Sequence, residues 1–306
     1  MTTISRRDMG KLLAAGTAGL LVGNGSAKSM NYINSVFAGV QIGAQSYSFR
    51  DRGLDACIKA YQDIGIGECE LWQAHVEPQH LSREEMRRWR LTVPLSHFRA
   101  VRRKFDDARV LLYAYNYSFQ KDFTDAEFVR GFEMARAMGV RYITASSHLS
   151  LVHKVDALAQ KYRIVVGFHN HSNISNPDDF SNAASFERGL KGTSRWVGVN
   201  LDIGHFVAAN SDPVAFLRQW HGRIVTLHLK DRKRNNGADL PWGEGDTPII
   251  GVLRLVRDHH WKFPGNIEYE YNRPGSGTVA EMRRCFADCK RILTTNCRGK
   301  GCYRVG

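Results

Sequence analysis

Histidines and carboxylates recur in this chain directly after short apolar runs. Residues 164–168 lead into His169-Asn170-His171, and residues 197–201 into Asp202-Ile203-Gly204-His205. Residues 224–227 lead into His228-Leu229-Lys230-Asp231. Glu68-Cys69-Glu70-Leu71-Trp72 and Ile267-Glu268-Tyr269-Glu270-Tyr271 set carboxylates at every second position. Period-two spacing sends alternate side chains of a strand to the same face. Asp, Glu and His converging from separate strands make a site for a divalent ion such as Mn²⁺, Mg²⁺, Co²⁺ or Zn²⁺. Buried without a partner, Asp202, Glu268 and Glu270 would each be costly, and one central cation would satisfy all three.

Something must hold these strand ends together. Eight β-like runs fall at residues 40–49, 67–72, 109–115, 141–146, 163–168, 196–201, 223–229 and 265–271. Most are continuously apolar, as parallel strands buried on both faces require. Helical patterns fall between and after them, at 54–64, 82–107, 125–138, 151–162, 178–191, 213–220, 248–259 and 279–293. Thr124-Asp125 and Pro213 suit helix starts, and Gly65 and Gly139 suit helix stops. Eight β-α units in about 255 residues predict an α/β fold of the (β/α)8 TIM barrel type. No Gly-x-Gly-x-x-Gly follows the first run, which argues against a dinucleotide-binding sheet. Barrel enzymes keep their chemistry at the C-terminal ends of the strands, where the His, Asp and Glu residues lie.

The chain has 306 residues, with 43% hydrophobic and 24% charged, a globular balance that excludes wholesale disorder. No apolar run reaches the roughly 18–20 residues needed to span a bilayer. The formal charge is +13, which invites a nucleic-acid reading. Six of those units lie outside the barrel region. Arg6, Arg7, Lys11 and Lys28 outweigh Asp8 at the start, and Arg298, Lys300 and Arg304 are unopposed at the end. Arg6-Arg7 precedes an apolar run of about a dozen residues, with small residues beyond it. This resembles a twin-arginine (Tat) signal, with Met9 where that pattern usually has Phe. We therefore expect residues 1–38 to be signal peptide and linker, cleaved after Ala27 or Ala38, residues 39–293 to form the barrel, and residues 294–306 to be a disordered tail. Export through the Tat machinery to the periplasm or beyond follows. Cys297 and Cys302 could pair in that compartment, whereas Cys285 and Cys289, four apart on a helix, suit burial.

The order and spacing of these motifs, with Trp242-Gly243-Glu244-Gly245-Asp246, resemble the sugar phosphate isomerase/epimerase group of the xylose isomerase-like barrel superfamily over about residues 40–293. The resemblance implies a metal held by His169, Asp202, His228 and Glu268. It makes His205 a contact to a substrate hydroxyl and puts Lys230 and Arg234 in the same mouth. Its sugar epimerases use glutamates on strands 5 and 8 as paired acid and base, and here His169 stands at the strand-5 position. Proton abstraction next to a carbonyl, through a metal-stabilised enediolate, is the expected chemistry. Glu270 or Glu70 would be the base, and His171 or His205 would return the proton. Trp72, Tyr115, Trp242 and Phe49 fall near loop ends, where rings can stack on sugars, and Trp242 opens a Gly-rich loop. The substrate expected is a sugar or keto-sugar, with isomerase, epimerase and lyase outcomes all open, the last on 3-keto-glycosides. A non-catalytic carbohydrate-binding barrel is the reading of another class. A multi-zinc endonuclease is disfavoured, because the first and third strands end in Ser46-Tyr47-Ser48 and Tyr113-Ala114-Tyr115-Asn116 without ligand sets.

Overall fold

Eight extended segments alternate with helices through residues 31–303, the part of the chain that the computed structural model describes. They are β1 (Val40–Gln45), β2 (Glu68–Trp72), β3 (Leu111–Asn116), β4 (Tyr142–Ala145), β5 (Val165–His169), β6 (Val197–Asp202), β7 (Ile224–Leu229) and β8 (Gly265–Ile267). Each pairs in parallel with the next, and β8 returns to β1, so the sheet closes into the expected barrel. The outward-facing apolar residues of the strands pack beneath the helices. Phe98, Phe128, Phe186 and Leu253 are among the fully buried members of that layer.

The barrel interior is polar rather than filled with branched apolar side chains. Glu68, Glu70, Thr144, Asn200, Thr226 and Asn266 are all fully buried inside it. Gly43 makes the room for this: a Cβ there would stand 1.6 Å from Glu68 Oε2 and 2.4 Å from Asn266 Oδ1.

Several elements depart from the expected spans. The helical stretch at 82–107 is two helices, Arg83–Thr92 and Leu95–Asp107. Pro94 lacks the N–H needed to continue the first, and it forces Val93 into an extended conformation. The helix expected at 178–191 begins only at Ala183, where the Asn182 side chain accepts the Ser185 N–H as its cap. One helix was not anticipated, Ile203–Ala208, which starts directly from the end of β6.

Arg6-Arg7 and the apolar run after it lie outside the described residues. Residues 31–38, which the sequence assigns to the leader and linker, belong to the barrel instead. Val36–Phe37 pairs antiparallel with the start of β1 through a tight turn at Ala38 and Gly39, both with positive φ. Ser35 is fully buried, and its Oγ donates to Ile42 O at 2.6 Å and accepts the Gly67 N–H at 3.0 Å. The Ile33 N–H donates to Arg109 O. Removing this hairpin would orphan buried donors and acceptors. If the leader expected from the sequence is removed, a cut after Ala27 would keep this hairpin and a cut after Ala38 would destroy it. Mass spectrometry of exported protein checks this, and a mature chain beginning at Gly39 would contradict it.

The tail also has more structure than expected. Cys297 and Cys302 form a disulfide, Gly299–Cys302 makes a 3-10 turn, and Cys302 is fully buried. Tyr303 lies against Gly243, so the tail is ordered by contact with the loop after β7.

Candidate metal centre and active site

Asp202, the last residue of β6, is placed by two local devices. Its Oδ1 accepts the His205 N–H at 2.6 Å, capping the helix Ile203–Ala208. Its backbone N–H and C=O are clamped to the Asn170 side chain, both at 3.0 Å. The Asp-x-x-His and His-Asn-His motifs are thus partly structural, and they leave Asp202 Oδ2 aimed into the mouth. On β7, His228 sits directly opposite Asp202 in the ladder. Gly204 allows the residue that follows β7 to pass, since a Cβ there would stand 2.3 Å from Lys230 Cγ.

His169, Asp202, His228 and Glu268 converge as the sequence predicts. Each offers a ligand atom, and the four atoms lie within 4.8 Å of one another. All four are buried. His169 Nε2 and Asp202 Oδ2 are buried without a hydrogen bond, 3.7 Å apart. Two donor atoms without a hydrogen bond, facing each other inside an Asp/Glu/His set, fit a divalent ion. Lys230 supplies a fixed positive charge beside them. Its Nζ stands 3.3 Å from Asp202 Oδ2 and 2.9 Å from Glu268 Oε2, and it also bonds Glu270. Burial opposes charge on Asp202 and Glu268, but Lys230 and the histidines hold both carboxyls well below the usual range.

His228 is gripped from both sides. Nδ1 faces Glu268 Oε2 at 3.1 Å and Nε2 faces Glu70 Oε2 at 2.9 Å. Burial works against its charge, and the two carboxylates outweigh that and raise its pKa well above the ordinary value.

Glu70 does not reach the mouth. Gln45, Thr144, Asn200 and Asn266 all donate to it, and it is fully buried below the ligand set. Its expected role as a base facing substrate is corrected to one of support beneath His228. Glu270, by contrast, lines the pocket together with His171 and His205. Burial raises the Glu270 carboxyl above its usual value despite the Lys230 ammonium. Arg232 Nη1 lies 2.6 Å from His205 Nδ1. Lys230 Nζ stands 3.3 Å from the other ring nitrogen, Nε2, so donor-only cations face both sides of the imidazole. Burial and the Lys230 charge push His205 well below its ordinary pKa and keep it neutral. Desolvation and the neighbouring His169 push His171 down to about 4.

The pocket encloses about 220 Å³. Trp72 lines it as expected, with Tyr47 packed edge-on against the indole at 4.9 Å. Trp242 does not line it. It is 7% exposed and joins the core, because its loop wraps Asp231, which accepts the N–H groups of Gly243, Gly245 and Thr247. Phe49 and Tyr115 are likewise core residues. Arg234 is turned outward, its backbone N–H on Asp246 Oδ2, and Lys230 serves the carboxylates rather than the open cavity. Sequence reasoning missed Arg232, Tyr47, Asn116 and Ser146. Arg232 continues the period-two alternation His228, Lys230, Arg232 past the end of β7, which was the available signal. Ser146 Oγ stands 3.2 Å from His171 Nε2.

Residues 110–289 match the family model described as Xylose isomerase-like TIM barrel, and the chain belongs to that family. Solved structures with the same fold include a sugar phosphate isomerase/epimerase from Parabacteroides distasonis. It is 16% identical, with a TM-score of 0.61 over 86% of this chain and 99% of that one. The probable 3-DHS dehydratase AsbF from Bacillus anthracis is 14% identical, with a TM-score of 0.61 over 80% and 98%. The IOLI protein, solved with a bound zinc atom, is 12% identical, with a TM-score of 0.63 over 83% and 99%. No curated protein matches the sequence.

Proposed function

We propose that the protein is a divalent-metal-dependent isomerase or epimerase acting on a sugar or keto-sugar. The convergence of four buried ligand atoms within 4.8 Å at the mouth of the barrel carries this reading. His169, Asp202, His228 and Glu268 would hold the ion. When bound, it would supply Lewis acidity that stabilises the enediolate oxygen and acidifies the neighbouring C–H. Glu270, with its raised pKa, is the base that takes the proton. His205, set between Lys230 and Arg232, and His171, held by Ser146, return it. Trp72 and Tyr47 offer ring faces and edges to the substrate.

The acid–base set is asymmetric, one carboxylate against two histidines, because His169 occupies the strand-5 position. That asymmetry favours a second outcome from the same site, elimination of a β-substituent from a 3-keto-glycoside. The Cys297–Cys302 disulfide supports an exported enzyme, since such pairs persist in oxidising compartments.

Deuterium wash-in tests the reading. The metal-loaded protein in heavy water is expected to exchange one carbon-bound proton of a keto-sugar or 3-keto-glycoside, followed by NMR. Glu270→Gln is expected to slow the exchange about 10²–10⁴-fold. Neither exchange nor product across a broad panel would leave a carbohydrate-binding barrel in its place.

A further inference from the structure

The metal-site pocket, at about 220 Å³, is smaller than the roughly 300–1,000 Å³ of ordinary ligand sites. It does not end at Trp72. A second groove of about 470 Å³ shares Trp72, Asn116 and Ser118 with it. The groove lies between the segment after β2 and the segment after β3, on the catalytic face of the barrel. Its apolar floor includes Leu81, Met86 and Phe123, and its polar rim includes Gln73, Gln120 and Asp122. Leu81 is 37% exposed, one of the few large apolar side chains on the described surface that is so open.

The two arginines in this groove are already neutralised. Arg83 pairs with Asp122 at 2.6 Å and Glu127 at 2.7 Å, and Arg90 makes two bonds to Glu77 at 2.8 Å. Both guanidinium groups also lie over the Phe123 ring. A groove whose cations are spent on internal carboxylates offers little to a phosphate. An apolar floor with amide and hydroxyl edges suits the C–H faces and hydroxyls of an uncharged sugar ring.

We propose that this groove is a second subsite, which binds a neutral glycosyl unit joined to the sugar in the metal-site pocket. The substrate is then a glycoside or disaccharide rather than a free monosaccharide or a sugar phosphate. The inference rests on the sugar-directed reading above and narrows it. Trp72 is the shared wall, so it contacts both units.

The test compares glucose, maltose and cellobiose binding to the metal-loaded protein by saturation-transfer NMR and calorimetry. At least one disaccharide is expected to bind ten-fold or more tighter than glucose. Leu81→Asp, at an exposed position, and Met86→Trp, which fills the groove, are each expected to abolish that advantage and leave glucose affinity within two-fold. Unchanged glucose affinity shows that the variants are folded. Equal binding of glucose and both disaccharides, or an advantage that survives both variants, would overturn the second subsite and leave the sugar reading standing. Binding of no sugar at all would overturn both.

Discussion

The double variant Asp202→Ala, His228→Ala is expected to purify without stoichiometric metal, while the wild-type protein, loaded under the same conditions, carries one divalent ion per chain. The two residues face each other across β6 and β7, so the variant removes adjacent walls of the site. It deletes one of the two unbonded donor atoms, Asp202 Oδ2, and leaves the other, His169 Nε2, without its companion. The loss in affinity is expected to exceed the roughly 10–100-fold that follows removal of an outer-shell partner. Lys230 makes the measurement decisive. Its ammonium already lies among Asp202, Glu268 and Glu270, so charge neutralisation alone does not require an ion. Full metal content in the double variant would refute these ligands. A wild-type protein that takes up no Mn²⁺, Mg²⁺, Co²⁺ or Zn²⁺ would make Lys230 the resident cation of the site.

The barrel and the convergence of His169, Asp202, His228 and Glu268 were legible because both depend on periodicity. Apolar runs of six to ten residues marked the strands, and polar residues placed just after them could only emerge at one end. What the sequence did not reveal was depth. Glu68, Glu70 and Trp72 alternate on one strand face, yet Glu68 and Glu70 are sealed inside the barrel and only Trp72 reaches the pocket. Period two gives the face of a strand and not the layer, which depends on how far neighbouring strands are staggered, including the register shifts at Cys69/Glu70 and Val199/Asn200. Trp242 misled for a different reason. A Gly-rich loop reads as open, but here the glycines bring backbone N–H groups onto buried Asp231, and the loop folds its indole inward. The hairpin at residues 31–38 was hidden because the sequence reading assigned those residues to a leader and linker, although Ala38-Gly39 is compatible with a two-residue turn.

Glu70→Gln is expected to lower metal affinity about 10–100-fold, with wild-type secondary structure retained, whereas Glu70→Ala is expected to lose about 3–5 kcal/mol of stability. The difference follows from the partners. Glu70 accepts from Gln45, Thr144, Asn200 and Asn266, and it faces His228 Nε2. Glutamine keeps one acceptor and the shape but removes the charge that orients the imidazole and strengthens it as a donor to the site. Alanine leaves several buried donors without acceptors. The pH dependence of the metal-free protein has a definite sign. Burial raises the Glu70 carboxyl, but His228, Thr144 and Asn266 outweigh it and lower its pKa, so its contribution is full above the unfolded value of about 4.3 and is lost as pH falls through the folded value. The His228 pKa is raised, so its contribution is full below the unfolded value of about 6.5 and is lost as pH rises through the folded value. Wild-type stability should therefore be greatest between those limits, and Glu70→Gln should flatten both flanks. Thermal unfolding across pH 3 to 10 measures it. A variant with unchanged metal affinity and an unchanged pH profile would show that His228 is positioned by Glu268 and Asn200 without the Glu70 charge.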